Sequence, residues 1–153
     1  MITDYFDIEE VVCPHVLDYY RAWEPLNSYG HFAWNFFDIR LLVTVEILHL
    51  ALNKHMYVND YTVYGVFSQR GFRCVKCQEM VDLYKSGKLF TDPHALGKAW
   101  DLTVAGMTAE EVRQWITANQ KILPYPIRLE DKVTWVHLDT LNNSSQKVVL
   151  FNT

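Results

Sequence analysis

His94-Ala-Leu-Gly-Lys-Ala-Trp-Asp101 is the stretch on which the reading of this chain turns. Gly97 lets the backbone turn tightly between the histidine and the aspartate. Alternation along an extended segment then puts Ala99 and Asp101 on one face and Trp100 and Leu102 on the other. A second stretch, Thr134-Trp-Val-His-Leu-Asp139, carries His137 on what reads as a neighbouring strand, with Val136 and Leu138 turned into the core. Two imidazoles and one carboxylate are three ligands of the kind zinc takes. They leave a fourth position for water, the arrangement of a catalytic rather than a structural site. Zinc in such a site lowers the pKa of its water to about 7 and polarises a carbonyl. The residues therefore point to a small zinc hydrolase, with His94, Asp101 and His137 as the metal ligands.

The spacing of Ile39, Leu42, Val43, Ile47, Leu50 and Ala51 predicts a helix over Asp38 to Asn53. Tyr61 to Phe67, rich in β-branched and aromatic residues, reads as a strand. A helix from about Cys74 to Ser86 is expected, stopped by Gly87. Thr108-Ala-Glu-Glu111 is a capping box that opens a helix whose apolar side carries Val112, Trp115 and Ile116. Tyr125 to Arg128, Val133 to Leu138 and Lys147 to Phe151 read as strands, the last two joined by the turn sequence Asn142-Asn-Ser-Ser145. The expected class is α+β, with helices packed on a small antiparallel sheet that carries the metal site. One domain over residues 1–153 is expected, with a helical N-terminal part (1–60) and a metal-binding core (61–151).

The 153 residues are 50% hydrophobic, enough for a compact core, and the net charge of -4 gives no basic footprint for nucleic acid. No run approaches the roughly 18 apolar residues of a membrane span. The opening Met-Ile-Thr-Asp-Tyr-Phe lacks the basic head and apolar stretch of a signal peptide, so cytoplasmic synthesis is expected. Cys13, Cys74 and Cys77 do not make a disulfide framework. Cys74-x-x-Cys77 has the spacing of half a zinc site or a redox pair. However, Cys74, Cys77, Val81 and Tyr84 share a helical face and no second Cys pair exists, so the cysteines read as core. His15, His31, His49 and His55 have no partner spacing and read as structural or surface residues. Trp23, Tyr29, Phe32, Trp34, Phe36 and Phe37 read as core. Trp100 and Trp135 read as packing residues that face away from the metal.

The pattern His94-x-x-Gly97-x-Ala99-x-Asp101 followed by Trp135-x-His137 resembles the zinc signature of the D-alanyl-D-alanine metallopeptidases. That superfamily also takes in L-alanyl-D-glutamate endolysins of phages and the amino-terminal domain of hedgehog proteins. Asp92 stands where the family pattern has serine. Ser68-Gln-Arg-Gly-Phe-Arg73 resembles the family's Ser-Gly-Tyr-Arg element, and Arg73 matches its substrate-contacting arginine, with Arg70 a second candidate. The resemblance covers about Tyr61 to Phe151. It implies a zinc-dependent peptidase, a carboxypeptidase or endolysin of phage or prophage type that degrades peptidoglycan stem peptides. Such a protein would act after lysis or as a virion component.

The family carries a catalytic Glu or Asp three residues before the last histidine, and here that position is Thr134, which cannot serve as a general base. Glu130, Asp131 and Asp139 are the candidates to replace it. Asp139 shares a strand face with His137 and could instead orient an imidazole. The alternative function is a non-catalytic, zinc-stabilised binding module, as hedgehog domains exemplify within the resemblance.

Overall fold

The computed structural model describes residues 5–23, 31–88 and 92–152, with only the backbone of Trp23 and His31. Tyr29 lies outside the described residues. The elements are helices α1 (Ile8–Val11), α2 (Pro14–Trp23), α3 (Ile39–Leu52), α4 (Gln78–Lys85) and α5 (Ala109–Ala118), and strands β1 (Met56–Tyr57), β2 (Ala99–Val104), β3 (Ile127–Glu130), β4 (Val136–Asp139) and β5 (Val148–Phe151). The strands form one sheet in the order β1-β2-β4-β3-β5.

The α+β class agrees with the sequence, but the sheet is mixed rather than antiparallel. β2 pairs antiparallel with β4, and β4 with β3, while β5 joins β3 in parallel. The Asn142–Ser145 turn therefore does not close a hairpin between β4 and β5. Asn142 instead donates from Nδ2 to the carbonyls of Ile127 and Gln146, both at 2.9 Å. These bonds carry the chain across to the far edge of β3.

One face of the sheet holds the core. Trp100, Leu102, Val136, Leu138, Ile127 and Leu129 are buried there. Trp100 packs edge-on against Phe6 and Phe37, with ring centroids 5.1 and 5.5 Å apart. Capped by Thr108 and Glu111 as expected, α5 covers β2 and β4 with Val112 and Ile116. Burying each such side chain stabilises the fold by roughly 1.5–3 kcal/mol.

Helix α3 starts where the sequence indicates, with Asp38 accepting from Arg40 N, and ends on Asn53 in the left-handed region. Its buried face is Leu41, Leu42, Thr44, Val45 and Leu48; Ile39, Leu50 and Ala51 are exposed. The helix is apolar nearly all round, so periodicity alone does not select a face. Phe37 is buried and Trp34 half-buried as expected, but Phe32 and Phe36 are exposed; Phe36 stacks on Phe72.

Two further expectations are corrected. Tyr61–Phe67 is a closed loop, not a strand: a 3-10 turn over Tyr61–Val63 is followed by Tyr64 at positive φ. Asp60 ties the loop, its carbonyl accepting from Val63 N and Gly65 N and its carboxylate from Phe67 N. Local closure by Asp60 satisfies the backbone groups that a strand would have offered to the sheet. The helix expected from Cys74 begins only at Gln78. Cys74–Cys77 is a turn, and Tyr84 is exposed, so no shared helical face holds the cysteines.

Candidate metal centre

The site stands on the sheet face opposite Trp100. The β2–β4 register sets Asp101 directly across from His137, and alternation along both strands puts the two side chains on one face. His94 arrives from the turn before β2. That turn needs Gly97: its φ is +65°, and a Cβ there would run into the Phe36 carbonyl, which no flexible side chain can relieve. Asp92 caps the turn by accepting from His94 N at 2.7 Å.

Three donor atoms meet. His94 Nε2 is 3.3 Å from His137 Nδ1 and 3.4 Å from Asp101 Oδ1, and His137 Nδ1 is 2.8 Å from Asp101 Oδ1. All three residues are buried, and the group could hold a metal ion. Each imidazole is held from behind. His94 Nδ1 lies 2.9 Å from the Gly71 carbonyl, which only accepts, so Nδ1 carries the proton and Nε2 presents its lone pair inward. His137 Nε2 lies 3.3 Å from Asp139 Oδ2. Asp139, fully buried, is fixed in turn by Arg128 Nη2 at 2.9 Å and Leu141 N at 2.8 Å. Such outer partners fix ring orientation and raise ligand basicity.

Without a metal, both His137 nitrogens face carboxylates. Burial opposes a charged imidazolium, but the bonds to Asp101 and then Asp139 outweigh it and push His137 up to about 9. Burial likewise opposes the Asp101 carboxylate, but the bond from His137 Nδ1 holds it well below the usual range. A proton on His137 Nδ1 thus takes the place of a cation among the three donors.

Arg73 braces the centre. Its guanidinium reaches Asp92 Oδ2 at 3.1 Å, Asp101 Oδ2 at 3.3 Å and Glu79 at 3.1 Å. It holds the outer oxygen of Asp101 so that Oδ1 faces the histidines. Arg70 lies over the Phe67 ring and donates to Thr103 Oγ1 at 2.8 Å. Both arginines line a surface cleft with Ser68, Asp101 and Trp135.

A second cleft of about 400 Å³ opens directly over the three donors, lined also by Arg73, Arg128, Glu130, Trp135 and Phe151. Trp135 is therefore not a packing residue facing away. It lies two positions before His137 and shares its side, and Arg113 fixes its approach by donating to the Val133 and Trp135 carbonyls. The three base candidates separate here. Glu130 ends β3 on the His137 face, is buried and lines the cleft. Asp131 points the other way, 3.9 Å from Arg113 Nε. Asp139 is engaged by Arg128 and His137. Thr134 lines a different cavity, between β2 and α5.

Arg128 is not singled out by the sequence, where its only signal is strand parity with Glu130. Nor is a second group that could hold a metal, Cys13, His15, Cys74 and Cys77. In the sequence the cysteines fall at core-like spacing and His15 has no partner at helical spacing, which hides the group.

Comparison of the chain with known protein families, with curated proteins and with solved structures finds no match.

Proposed function

We propose that this chain is a zinc-dependent peptidase acting on peptide bonds of bacterial cell-wall stem peptides, with His94, Asp101 and His137 as zinc ligands and Glu130 as general base. The observation that carries the reading is the triangle of donors under an open cleft. Tetrahedral zinc at 2.0–2.1 Å from N and O donors requires ligand edges of about 3.3 Å, and the three edges here run from 2.8 to 3.4 Å. His/His/Asp donors with each imidazole oriented from behind suit zinc with an open position. The cell-wall substrate rests on the resemblance of the His94–Asp101 and Trp135–His137 motifs.

Zinc, when bound, supplies a Lewis acid that polarises the scissile carbonyl and acidifies water. The residues around it do the rest. Glu130 takes a proton from the attacking water and returns it to the amide nitrogen; the C–N bond breaks, and a carboxylate and an amine result. Arg73, paired with Asp92 and Asp101, and Arg128, paired with Asp139, line the cleft, and their remaining N–H groups would donate to a substrate carboxylate or developing oxyanion. Trp135 and Phe151 wall the cleft with apolar surface that limits water.

The test is incubation of the purified, zinc-loaded protein with peptidoglycan, following release of free amines. Release that disappears on chelation and returns with zinc supports the reading. No release at any pH, with zinc confirmed on the protein, would leave the zinc-stabilised binding module in its place.

A further inference from the structure

Cys13, Cys74 and Cys77 are free thiols, and with His15 they bring four soft donors together. One ligand atom from each lies within 4.8 Å of all the others, and Cys77 Sγ is 3.9 Å from His15 Nδ1. Tetrahedral zinc, with Zn–S near 2.3 Å and Zn–N near 2.0 Å, needs sulfur–nitrogen edges of about 3.5 Å and sulfur–sulfur edges of about 3.8 Å. The group has the dimensions of such a site before its last contraction.

The backbone around the group is built for it. Cys74–Cys77 forms a tight turn, closed by Cys77 N donating to the Cys74 carbonyl at 2.9 Å. Within it the Lys76 N–H lies 3.4 Å from Cys74 Sγ, where it would offset thiolate charge. Cys13 and His15 sit at the start of α2. The two segments are clasped by a parallel bridge between Val12 and Phe72, with Phe72 N donating to the Val11 carbonyl at 2.8 Å and Cys13 N to the Phe72 carbonyl at 3.2 Å. Cys13 and Cys77 are buried, Cys74 is half-buried and His15 is exposed, so a metal could enter from the rim.

We infer that Cys13, His15, Cys74 and Cys77 form a structural zinc site that ties the start of α2 to the 71–77 segment. Three cysteines and a histidine make a closed set of four protein ligands, the structural class, with no position left for water. Its effect reaches the other centre through one short stretch of chain. Gly71, which fixes His94, and Arg73, which braces Asp101, both lie on the segment it clamps. The inference stands independently of the peptidase reading.

The experiment uses the full-length reduced chain with cobalt(II) as the probe. Two metal equivalents are expected, one for each group, with intense near-ultraviolet thiolate-to-cobalt charge-transfer absorption from the cysteine group. The His94→Ala/Asp101→Ala double variant should keep that absorption at one equivalent, and Cys74→Ser should lose or sharply weaken it. Absence of the band in the folded wild-type protein with all three thiols reduced overturns the inference, whether or not the Cys74→Ser variant folds. So does loss of the band in the double variant. A persistent band in a protein without peptidase activity would sink only the functional reading.

Discussion

His137 and Asp139 stand two residues apart on one face of β4, with His137 Nε2 3.3 Å from Asp139 Oδ2. The carboxylate therefore lies behind the imidazole, on the side away from Asp101 and His94, and turns Nδ1 toward them. This relationship makes Asp139 a positioning residue and leaves Glu130 as the acid–base candidate.

Ligand removal is the first check on the centre. His94→Ala, Asp101→Ala and His137→Ala should each lose the zinc of this site, because two remaining ligands chelate poorly. Elemental analysis of each variant, alongside circular dichroism to verify the fold, reads the loss. Full zinc retention in all three would move the metal elsewhere.

Glu130→Gln preserves shape and removes the charge. Turnover should fall about 10²–10⁴-fold with zinc still bound. Asp131→Asn, facing Arg113, should leave turnover near wild type. A fully active Glu130→Gln enzyme would remove Glu130 from the mechanism.

Asp139→Asn keeps the bulk but weakens the hold on His137, and Arg73→Gln releases the outer oxygen of Asp101. Each should lower zinc affinity by about 10–100-fold, the usual cost of losing a partner behind a ligand. Competition with a chromophoric chelator measures it. Unchanged affinity in both would mean that the ligands need no bracing.

The pH dependence follows from the His137–Asp101 pair in the metal-free chain. His137 is raised from 6.5 to about 9 on folding, so its contribution to stability is fully present below about pH 6.5 and is lost as pH rises through about 9. Asp101 is depressed from 3.8, so its contribution is present above about pH 3.8 and is lost as pH falls below that value. Denaturant unfolding of the metal-free protein should show the pair at full strength between these limits. Zinc must displace the His137 Nδ1 proton, so affinity should rise about tenfold per pH unit up to about pH 9. A flat zinc affinity across this range would contradict the proton's placement.

Gly97→Ala forces a side chain into the left-handed region and against the Phe36 carbonyl. The conformational cost alone is roughly 1–2 kcal/mol, and the clash adds to it by shifting the turn that carries His94. Both the melting temperature and the zinc content should drop. A variant matching wild type in both would show that the turn relaxes freely.

The grouping of His94, Asp101 and His137 was legible in the sequence because its geometry is nearly local. Glycine before a strand, period-two alternation and two motifs in order were enough to bring His94, Asp101 and His137 to one face, and the capping box of α5 was as plain. Register and neighbours were not legible. The strand expected over Tyr125 to Arg128 stops short of Glu130, which pairing with Phe151 of β5 draws into β3, and the same parity sends Asp131 to the other side. The parallel placement of β5 goes with Asn142 bonding both the Ile127 carbonyl on β3 and the Gln146 carbonyl four residues on. The cysteine group was the least accessible of all. A cysteine packed in the core and one poised for a metal look alike in sequence, and it is the pairing of the 11–13 segment with Phe72 that brings Cys13 and His15 to Cys74 and Cys77. Local chemistry is written in short spacings, whereas contacts across the chain arise when burial and backbone pairing select one arrangement of the whole.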